Sequence, residues 1–244
     1  MSVVEATTEE PATPPKAIVL ELRDFTFHGT TEHSVRFTNI DLVLREGDLT
    51  VIHLDPALKS REFTSMLQGL SEPSHGELRF QGSDWSGTDY DRHFEMRGRI
   101  GRVFEGHAWV ANLNVAENVT LASLHHEQST EKNAKQWAQR FGLSQVSRKR
   151  PAFVEPSQLQ IHQWIRAFLC HPALLLLERP MQSVPKSMHT VLCNAIDEAR
   201  QSGTAVLWMT SQSESFSHEF QDTASHLRVE SETLVAMNEE ASDE

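Results

Sequence analysis

The sequence predicts an α/β protein organised around a mixed β-sheet. Two runs in its second half, 174–177 and 204–210, are apolar almost throughout and are separated by a stretch with helical periodicity. Strands of this kind are buried on both faces, which is typical of a parallel sheet covered by helices. The first 50 residues instead hold β-type runs joined by short turns, which indicates an antiparallel part and makes the architecture mixed.

The spacing of apolar residues places each element in turn along the chain. Alternating or continuous apolar runs predict strands over 17–27, 37–44, 49–54, 77–81, 100–104, 174–177 and 204–210. Apolar residues at the spacing of one helical face predict helices over 59–70, 115–124, 132–141, 156–171 and 186–201. Gly69 is placed to end the first of these helices.

The two ends of the chain differ from its middle. Residues 1–16 are rich in proline and threonine and have no apolar periodicity, and residues 238–244 carry four carboxylates. Such segments bury too little apolar surface to fold, so we expect disordered tails at both ends. The folded domain is therefore predicted to span 17–237.

Composition and charge exclude several classes of protein. With 39% hydrophobic and 23% charged residues, the 244-residue chain is ordinary globular material, and no apolar run approaches the ~20 residues of a transmembrane segment. The chain starts without a basic, apolar leader, so we expect a cytoplasmic protein. Cys170 and Cys193 lie far apart, which argues against a disulfide framework or a zinc site. The net charge of -12 disfavours binding to nucleic acid.

Three stretches, in the right order, resemble the nucleotide-binding domain of ATP-binding-cassette (ABC) ATPases. LQGLSEPSHG at 67–76 is similar to the family's LxGLxxPxxG, and IGRVFEGHAWVANLNVAENV at 100–119 to its IGxVFQxxxLxxxLTVxENV. RAFLCHPALLLLERP at 166–180 is similar to RALxxxPxLLLLDEP. The resemblance implies a P-loop NTPase-like cassette with an antiparallel β subdomain and a helical subdomain at about 106–160. The chain most resembles the ATPases of lipid-trafficking importers that maintain outer-membrane lipid asymmetry.

The phosphate loop departs from the family pattern. GxxxxGK[S/T] is matched by LDPALKSRE at 54–62, which contains no glycine. Without a gap, Ser60 stands at the lysine position, and Leu54 and Lys59 stand at the glycine positions. Arg61 and Glu62 stand at the hydroxyl positions. A slip of one residue instead makes Lys59 the phosphate lysine and Ser60 the magnesium ligand.

Either register weakens the loop as a phosphate site. Glycines let backbone N–H groups turn toward phosphates, whereas here leucine and alanine side chains crowd the loop and Pro56 has no N–H. Glu62 adds a negative charge beside any phosphate. We therefore expect weak or absent binding of ATP and Mg²⁺.

The hydrolytic positions implied by the resemblance are altered as well. Glu178 replaces the aspartate that positions magnesium, and Arg179 replaces the glutamate that acts as general base. Arginine stays protonated and cannot accept a proton, so Arg179 is interpreted as an ion-pairing residue, with Glu178 or Glu105 as partner and a phosphate contact as the alternative. Glu105 replaces the metal-binding glutamine and is expected to be exposed on a loop, and Ser211 replaces the histidine that contacts the γ-phosphate. If Mg-ATP binds, its metal ligands are expected to be Ser60, Glu105 and Glu178.

The signature LSGGQ is matched by VEPSQ at 154–158. Glu155 replaces the serine, Ser157 replaces a glycine, and Gln158 alone is kept. Glu155 and Pro156 suit an ordinary helix start, which is the structural interpretation of this segment. Phe27 or its neighbour His28 stands where the family stacks an aromatic residue on adenine, although a core position for Phe27 is equally compatible with the pattern.

These observations leave two main functional hypotheses. The first is a degenerate ABC ATP-binding subunit, a structural or regulatory partner of a membrane permease subunit and of an intact ABC ATPase subunit. The second is an active ATP-binding subunit that holds Mg-ATP with Lys59, Ser60 and Glu178. A cassette-fold interaction protein without a transporter is a third possibility.

Overall fold

The structure is a computed structural model that describes residues 16–87, 89–106, 108–125, 131–211 and 223–237. Within these ranges the chain forms ten strands in two sheets and six α-helices. The strands are β1 (Ile18–His28), β2 (Arg36–Arg45), β3 (Leu49–Leu54), β4 (His75–Phe80), β5 (Ser83–Asp84), β6 (Ile100–Val103), β7 (Leu174–Glu178), β8 (Ala205–Ser211), β9 (Ser225–Glu230) and β10 (Thr233–Ala236). The helices are α1 (Arg61–Leu67), α2 (Tyr90–Gly98), α3 (Val115–His125), α4 (Glu131–Arg140), α5 (Pro156–Phe168) and α6 (His189–Gln201).

The first sheet is antiparallel and has the order β2-β1-β4-β5. Leu22 of β1 lies between Leu42 of β2 and Leu78 of β4. Buried and exposed residues largely alternate along β2, so one face of this strand packs on the core and the other meets solvent.

The second sheet is mixed and has the order β10-β9-β3-β8-β7-β6. Strands β6, β7, β8, β3 and β9 run parallel, and only β10 is antiparallel to its neighbour. The carboxyl ends of parallel strands meet at one edge, where ligands of α/β proteins usually bind. This edge carries the last residues of four strands, which are Leu54, Val103, Glu178 and Ser211.

The mixed sheet has a hydrophobic cluster on each face. Leu174 and Leu176 of β7 face the cluster shared with the first sheet and α1, whereas Leu175 and Leu177 face the cluster formed with α3 to α6. This alternation explains why all four positions from Leu174 to Leu177 are apolar, since both faces of the strand are buried. At Gly101 a Cβ atom would lie 2.2 Å from the carbonyl oxygen of Ala167, so glycine allows α5 to pack directly on β6.

The predicted fold class is confirmed, and most predicted elements are found within a few residues of their predicted bounds. The helix predicted over 59–70 is shorter, because Gly69 adopts a left-handed φ of +66° and its N–H bonds the Met66 carbonyl. The helix predicted from 186 begins as a 3-10 turn and becomes α-helical at His189.

Elements β5, α2, β9 and β10 were not predicted. Helix α2 has the sequence YDRHFEMRG, which lacks a clear apolar face, and β9 and β10 are at most half-buried. The predicted tails lie outside the described residues, apart from Lys16. The domain boundaries stay a prediction. None of the described helices combines the length and the apolar character needed to cross a bilayer.

Candidate functional site

The loops that follow β3, β6 and β7 meet at the carboxyl edge of the mixed sheet. They carry three of the residues singled out in the sequence, Lys59, Glu105 and Arg179, and join them in one ion cluster. One carboxylate oxygen of Glu105, Oε1, lies 2.5 Å from Lys59 Nζ and 3.1 Å from an Arg179 guanidinium nitrogen. A single carboxylate therefore links the segments after all three strands.

The ion pair between Arg179 and Glu105 is one of the two pairings that the sequence left open. Arg179 has a left-handed φ of +42°, and its N–H bonds the carbonyl of Met209 in β8. The expectation that Glu105 is an exposed loop carboxylate is wrong, because its side chain is only 11% exposed beneath the two cations.

Two backbone carbonyls of loop 55–60, those of Pro56 and Leu58, point toward the cluster. The Arg179 guanidinium donates to the carbonyls of Pro56 and Leu58 at 3.0 and 3.1 Å. The N–H groups of Ala57 and Leu58 bond the side chain and the carbonyl of Asp55. The N–H of Lys59 bonds the carbonyl of His33. In this conformation residues 56–59 offer no free N–H to a phosphate.

A second, deeper cluster surrounds Glu178. Its side chain is fully buried, and Oε1 accepts hydrogen bonds from Thr64 at 2.8 Å and from Arg102 Nε at 2.6 Å. The second oxygen lies 3.4 Å from the N–H of Glu105. The predicted magnesium position is therefore held by an internal cation.

Arg102 was missed by the sequence reasoning. Its remaining donors reach the side chains of Ser65 and Gln68 and the carbonyl of Arg61, all at 2.9–3.0 Å, so it fixes helix α1 to β6 and β7. Burial lowers the pKa of Arg102, and the charge of Glu178 opposes that effect. The available indication was a lone arginine within the apolar strand sequence IGRV.

An aromatic ring continues this cluster toward α5. The guanidinium of Arg102 lies 4.2 Å from the ring centre of Phe104, and that of Arg166 lies 5.2 Å from the same ring. Burial, together with the positive charge of Arg102, lowers the pKa of Arg166 to about 10. The ring thus lies near two cations, an arrangement in which cation–π attraction offsets part of their burial.

Helix α5 holds the two neighbouring loops in place. The Gln163 side chain accepts from the N–H of Phe104 and donates to the carbonyl of Gly106. Gln160 and Trp164 both donate to the carbonyl of Pro180, at 3.0 and 2.9 Å. The loops after β6 and β7 are consequently fixed to one rigid helix.

The assignment of this architecture rests on a family comparison. A family model described as "ABC transporter" matches residues 59–182, just over half of the 244-residue chain. The chain belongs to the ABC transporter family. The matched region contains Lys59, Glu105, Glu178 and Arg179, so the ion clusters lie within the part of the ABC cassette that defines the family.

Proteins of similar sequence, at about one quarter identity, carry the name ATP-binding protein. The lipoprotein-releasing system ATP-binding protein LolD of Buchnera aphidicola subsp. Acyrthosiphon pisum is 24% identical over 66% of this chain and 72% of its own length. The uncharacterised ABC transporter ATP-binding protein YbbA of Escherichia coli K12 is 25% identical over 75% of this chain and 82% of its own. A dimeric structure of the ATP-binding cassette MJ0796, bound to ADP and Pi, matches with a TM-score of 0.75 and 17% identity, covering 90% of this chain and 98% of that one. At this identity the structural match shows the cassette fold.

The segment predicted to match the signature, residues 154–158, spans the start of helix α5. Glu155 has extended backbone angles at the N-cap and makes no side-chain cap bond, and Pro156 occupies the first turn. Glu155 and Gln158 are exposed, and Ser157 is half-buried. The helix-start interpretation of this segment is confirmed.

The remaining predicted site residues lie at the start of α1, at the end of β8 and in β1. Ser60 is 3% exposed and precedes α1 without a side-chain cap bond, while Arg61 is exposed. Ser211 is 5% exposed and pairs with Leu54 at the end of β8. Phe27 is 5% exposed, and its ring centre lies 5.7 Å from that of Phe63. The structure supports the core alternative for Phe27, because a buried ring cannot stack on adenine.

Several groups that a magnesium nucleotide would have to contact are engaged with other groups of the protein. The N–H groups of Ala57, Leu58 and Lys59 bond within the protein, and the carboxylates of Glu105 and Glu178 are each ion-paired with arginine. Among the described residues, no group of three or more His, Cys, Asp or Glu side chains is arranged to hold a metal ion.

Proposed function

We propose that this cassette chain is a non-hydrolysing ATP-binding-subunit homologue that serves as a structural or regulatory subunit of a membrane transport complex. In this proposal, the Lys59–Glu105–Arg179 and Arg102–Glu178 clusters stabilise the loops that magnesium and nucleotide would stabilise in an active cassette. They neutralise charge and hold the loops after β3, β6 and β7 together. The residues that depart from the family motifs then supply ion pairs in place of the contacts that Mg-ATP would make.

The single observation that carries the proposal is the environment of Arg179. The resemblance expects a general base at this position, which must accept a proton from water. A guanidinium remains protonated at any physiological pH, and this one is engaged by Glu105, Pro56 and Leu58. These contacts support a structural role and leave Arg179 unable to act as a base.

The proposal extends to weak or absent nucleotide binding. Each charge-assisted hydrogen bond from a loop N–H to a phosphate contributes about 1.5–3 kcal/mol. Breaking the existing bonds of Ala57, Leu58 and Lys59 would also have a cost before any phosphate could be bound. Losing several such contacts moves a micromolar affinity beyond about 1 mM.

Calorimetry of the purified chain with Mg-ATP tests this directly. We expect no heat of binding at concentrations that saturate an active cassette. A dissociation constant below about 100 μM would overturn the proposal and favour the active-subunit hypothesis, in which Lys59, Ser60 and Glu178 hold Mg-ATP.

A variant of Arg179 tests ATP hydrolysis separately from ATP binding. Arg179→Glu supplies a carboxylate where the resemblance expects the general base, so turnover should rise if nucleotide binds and stay at background if it does not. Loss of a robust wild-type ATPase activity in this variant would instead mean that LLLLERP has been matched to the wrong motif. Arg99→Glu is a control with the same change of charge.

The proposed partners are a permease subunit and an intact ABC ATPase subunit, at the cytoplasmic face of a membrane. In the family, each nucleotide lies between one subunit's phosphate loop and the other's signature. A homodimer of this chain would have two sites degraded on both sides, whereas a mixed dimer keeps one good phosphate loop. Light scattering should therefore show no Mg-ATP-induced homodimer, and an ATP-induced homodimer would refute the mixed arrangement. Lipid as the transported class rests on the resemblance to lipid-trafficking importers.

A further inference from the structure

A short basic segment stands out on the surface of this acidic protein. Arg148, Lys149 and Arg150 are consecutive and all exposed, and Phe153 is 73% exposed one turn later. The rest of the chain is acidic, since the whole protein carries a net charge of -12. We call residues 148–153, with the sequence RKRPAF, the basic–aromatic segment.

The backbone at the start of the basic–aromatic segment, at Ser147 and Lys149, is bound to two helices. The carbonyls of Ser147 and Lys149 accept the first N–H groups of α3, those of Ala116 and Val115, both at 2.9 Å. On the other side, the N–H of Ser147 donates to Nε2 of His162 in α5 at 3.0 Å. Burial lowers the pKa of His162 and favours the neutral ring that this contact needs. The segment is therefore a preformed surface feature, held by two helices.

The side chains of the segment are not used inside the protein. None of the three cations forms an ion pair with a carboxylate in the described part of the chain. Phe153 belongs to a 3-10 turn, closed by its N–H to the carbonyl of Arg150, and exposes most of its ring. Three solvated charges and one apolar ring are thus displayed together.

We propose that the basic–aromatic segment binds the surface of an anionic lipid bilayer. Lys and Arg side chains beside such a surface are attracted by its negative potential, and an exposed aromatic ring inserts at the level of the headgroups. No acidic or amide side chain lies within RKRPAF to recognise a particular sequence or shape, so the segment responds to charge density. This inference is independent of whether the cassette binds nucleotide.

A bilayer fits these observations better than a nucleic acid does. The electrostatic part of nucleic-acid binding grows with the number of phosphates neutralised, and this segment supplies only three cations. The exposed ring of Phe153 adds an apolar contact that a bilayer interface accepts and a phosphate backbone does not. At physiological ionic strength the Debye length is about 8 Å, so distant carboxylates repel a charged membrane weakly. The local contact of the segment then decides the binding.

Vesicle co-sedimentation of the full chain tests the proposal. We expect binding to vesicles of phosphatidylcholine with about 30% phosphatidylglycerol, none to phosphatidylcholine alone, and loss of binding at high salt. Each cation adds about fivefold to the partition coefficient, so R148Q/K149Q/R150Q should lower it about 100-fold. Phe153→Ser should lower it at constant charge.

A matched control separates the segment from the charge of the whole protein. R36Q/K132Q/K186Q removes the same number of exposed cations elsewhere and should leave the partition coefficient nearly unchanged. Thermal melting of each variant verifies that it is folded. The proposal is overturned if the wild-type chain does not bind anionic vesicles, if the control loses as much binding as R148Q/K149Q/R150Q, or if duplex DNA binds more tightly at the same salt concentration.

Discussion

Replacing Arg102 by methionine should strongly destabilise the fold. The Arg102 and Glu178 side chains are 3% and 0% exposed, and their ion pair is 2.6 Å long. Removing one member of a buried pair leaves an uncompensated charge and typically costs about 3–5 kcal/mol. Arg102 also donates three hydrogen bonds to α1 and the residue that follows it, so we expect the upper half of that range. For a domain of this size, the melting temperature should fall by about 10 °C.

A double variant distinguishes the charge from the packing. R102M/E178L removes both charges, and replacement of a buried pair by apolar residues is often neutral or stabilising by about 1–4 kcal/mol. Urea denaturation gives the free energy of unfolding for both variants. Arg92→Met is the control, because its pair with Glu95 is exposed and should contribute less than about 1 kcal/mol. If Arg102→Met were no worse than this control, or if the double variant were as unstable as the single one, the reasoning would be refuted.

Three further predictions concern pH, polar bridging and close packing. Burial and the neighbouring His226 lower the pKa of His53, so the unfolded chain binds more protons below about pH 6.5 and stability falls there. His53→Gln should flatten the loss of unfolding free energy between pH 7.5 and 5.5, and an unchanged slope would contradict this. Gln163→Leu should cost about 1–3 kcal/mol by leaving the part-buried N–H of Phe104 unpaired, with the exposed Gln158→Leu as control in the same urea assay. Gly101→Ala should destabilise by about 1–3 kcal/mol, because the new Cβ meets α5, whereas Gly87→Ala meets no atom within 4 Å; equal melting temperatures would disprove the close-packing argument.

Much of the fold could be predicted because its strongest patterns are local. The four leucines of β7, bounded by Pro172 and Pro180, are typical of a short strand buried on both faces, and such runs indicate a parallel sheet. Helix α2 could not be predicted in this way, since its polar sequence offers no periodic apolar face. Its start depends on a single cap, in which the Asp89 side chain accepts the N–H of Arg92.

The candidate site was predictable as a set of positions but not as a set of contacts. Lys59, Glu105 and Arg179 were identified from their places in three motifs. One Glu105 oxygen contacts both cations because three loops converge on it. The linear sequence does not specify this convergence. Arg102 shows the same limit, because a lone arginine in IGRV gives no indication of which buried carboxylate it meets.

The strand order has a consequence for how this chain reaches its native state during synthesis. Strand β3 ends at Leu54, yet both of its neighbours, β8 and β9, come from residues after 204. The central strand therefore has two unpaired edges until nearly the whole polypeptide has left the ribosome. Non-local pairing of this kind is slow and exposes aggregation-prone edges meanwhile. Strands β1 and β2 can pair as soon as both are synthesised. Their pairing buries apolar residues of the first sheet before the last strands of the mixed sheet are available.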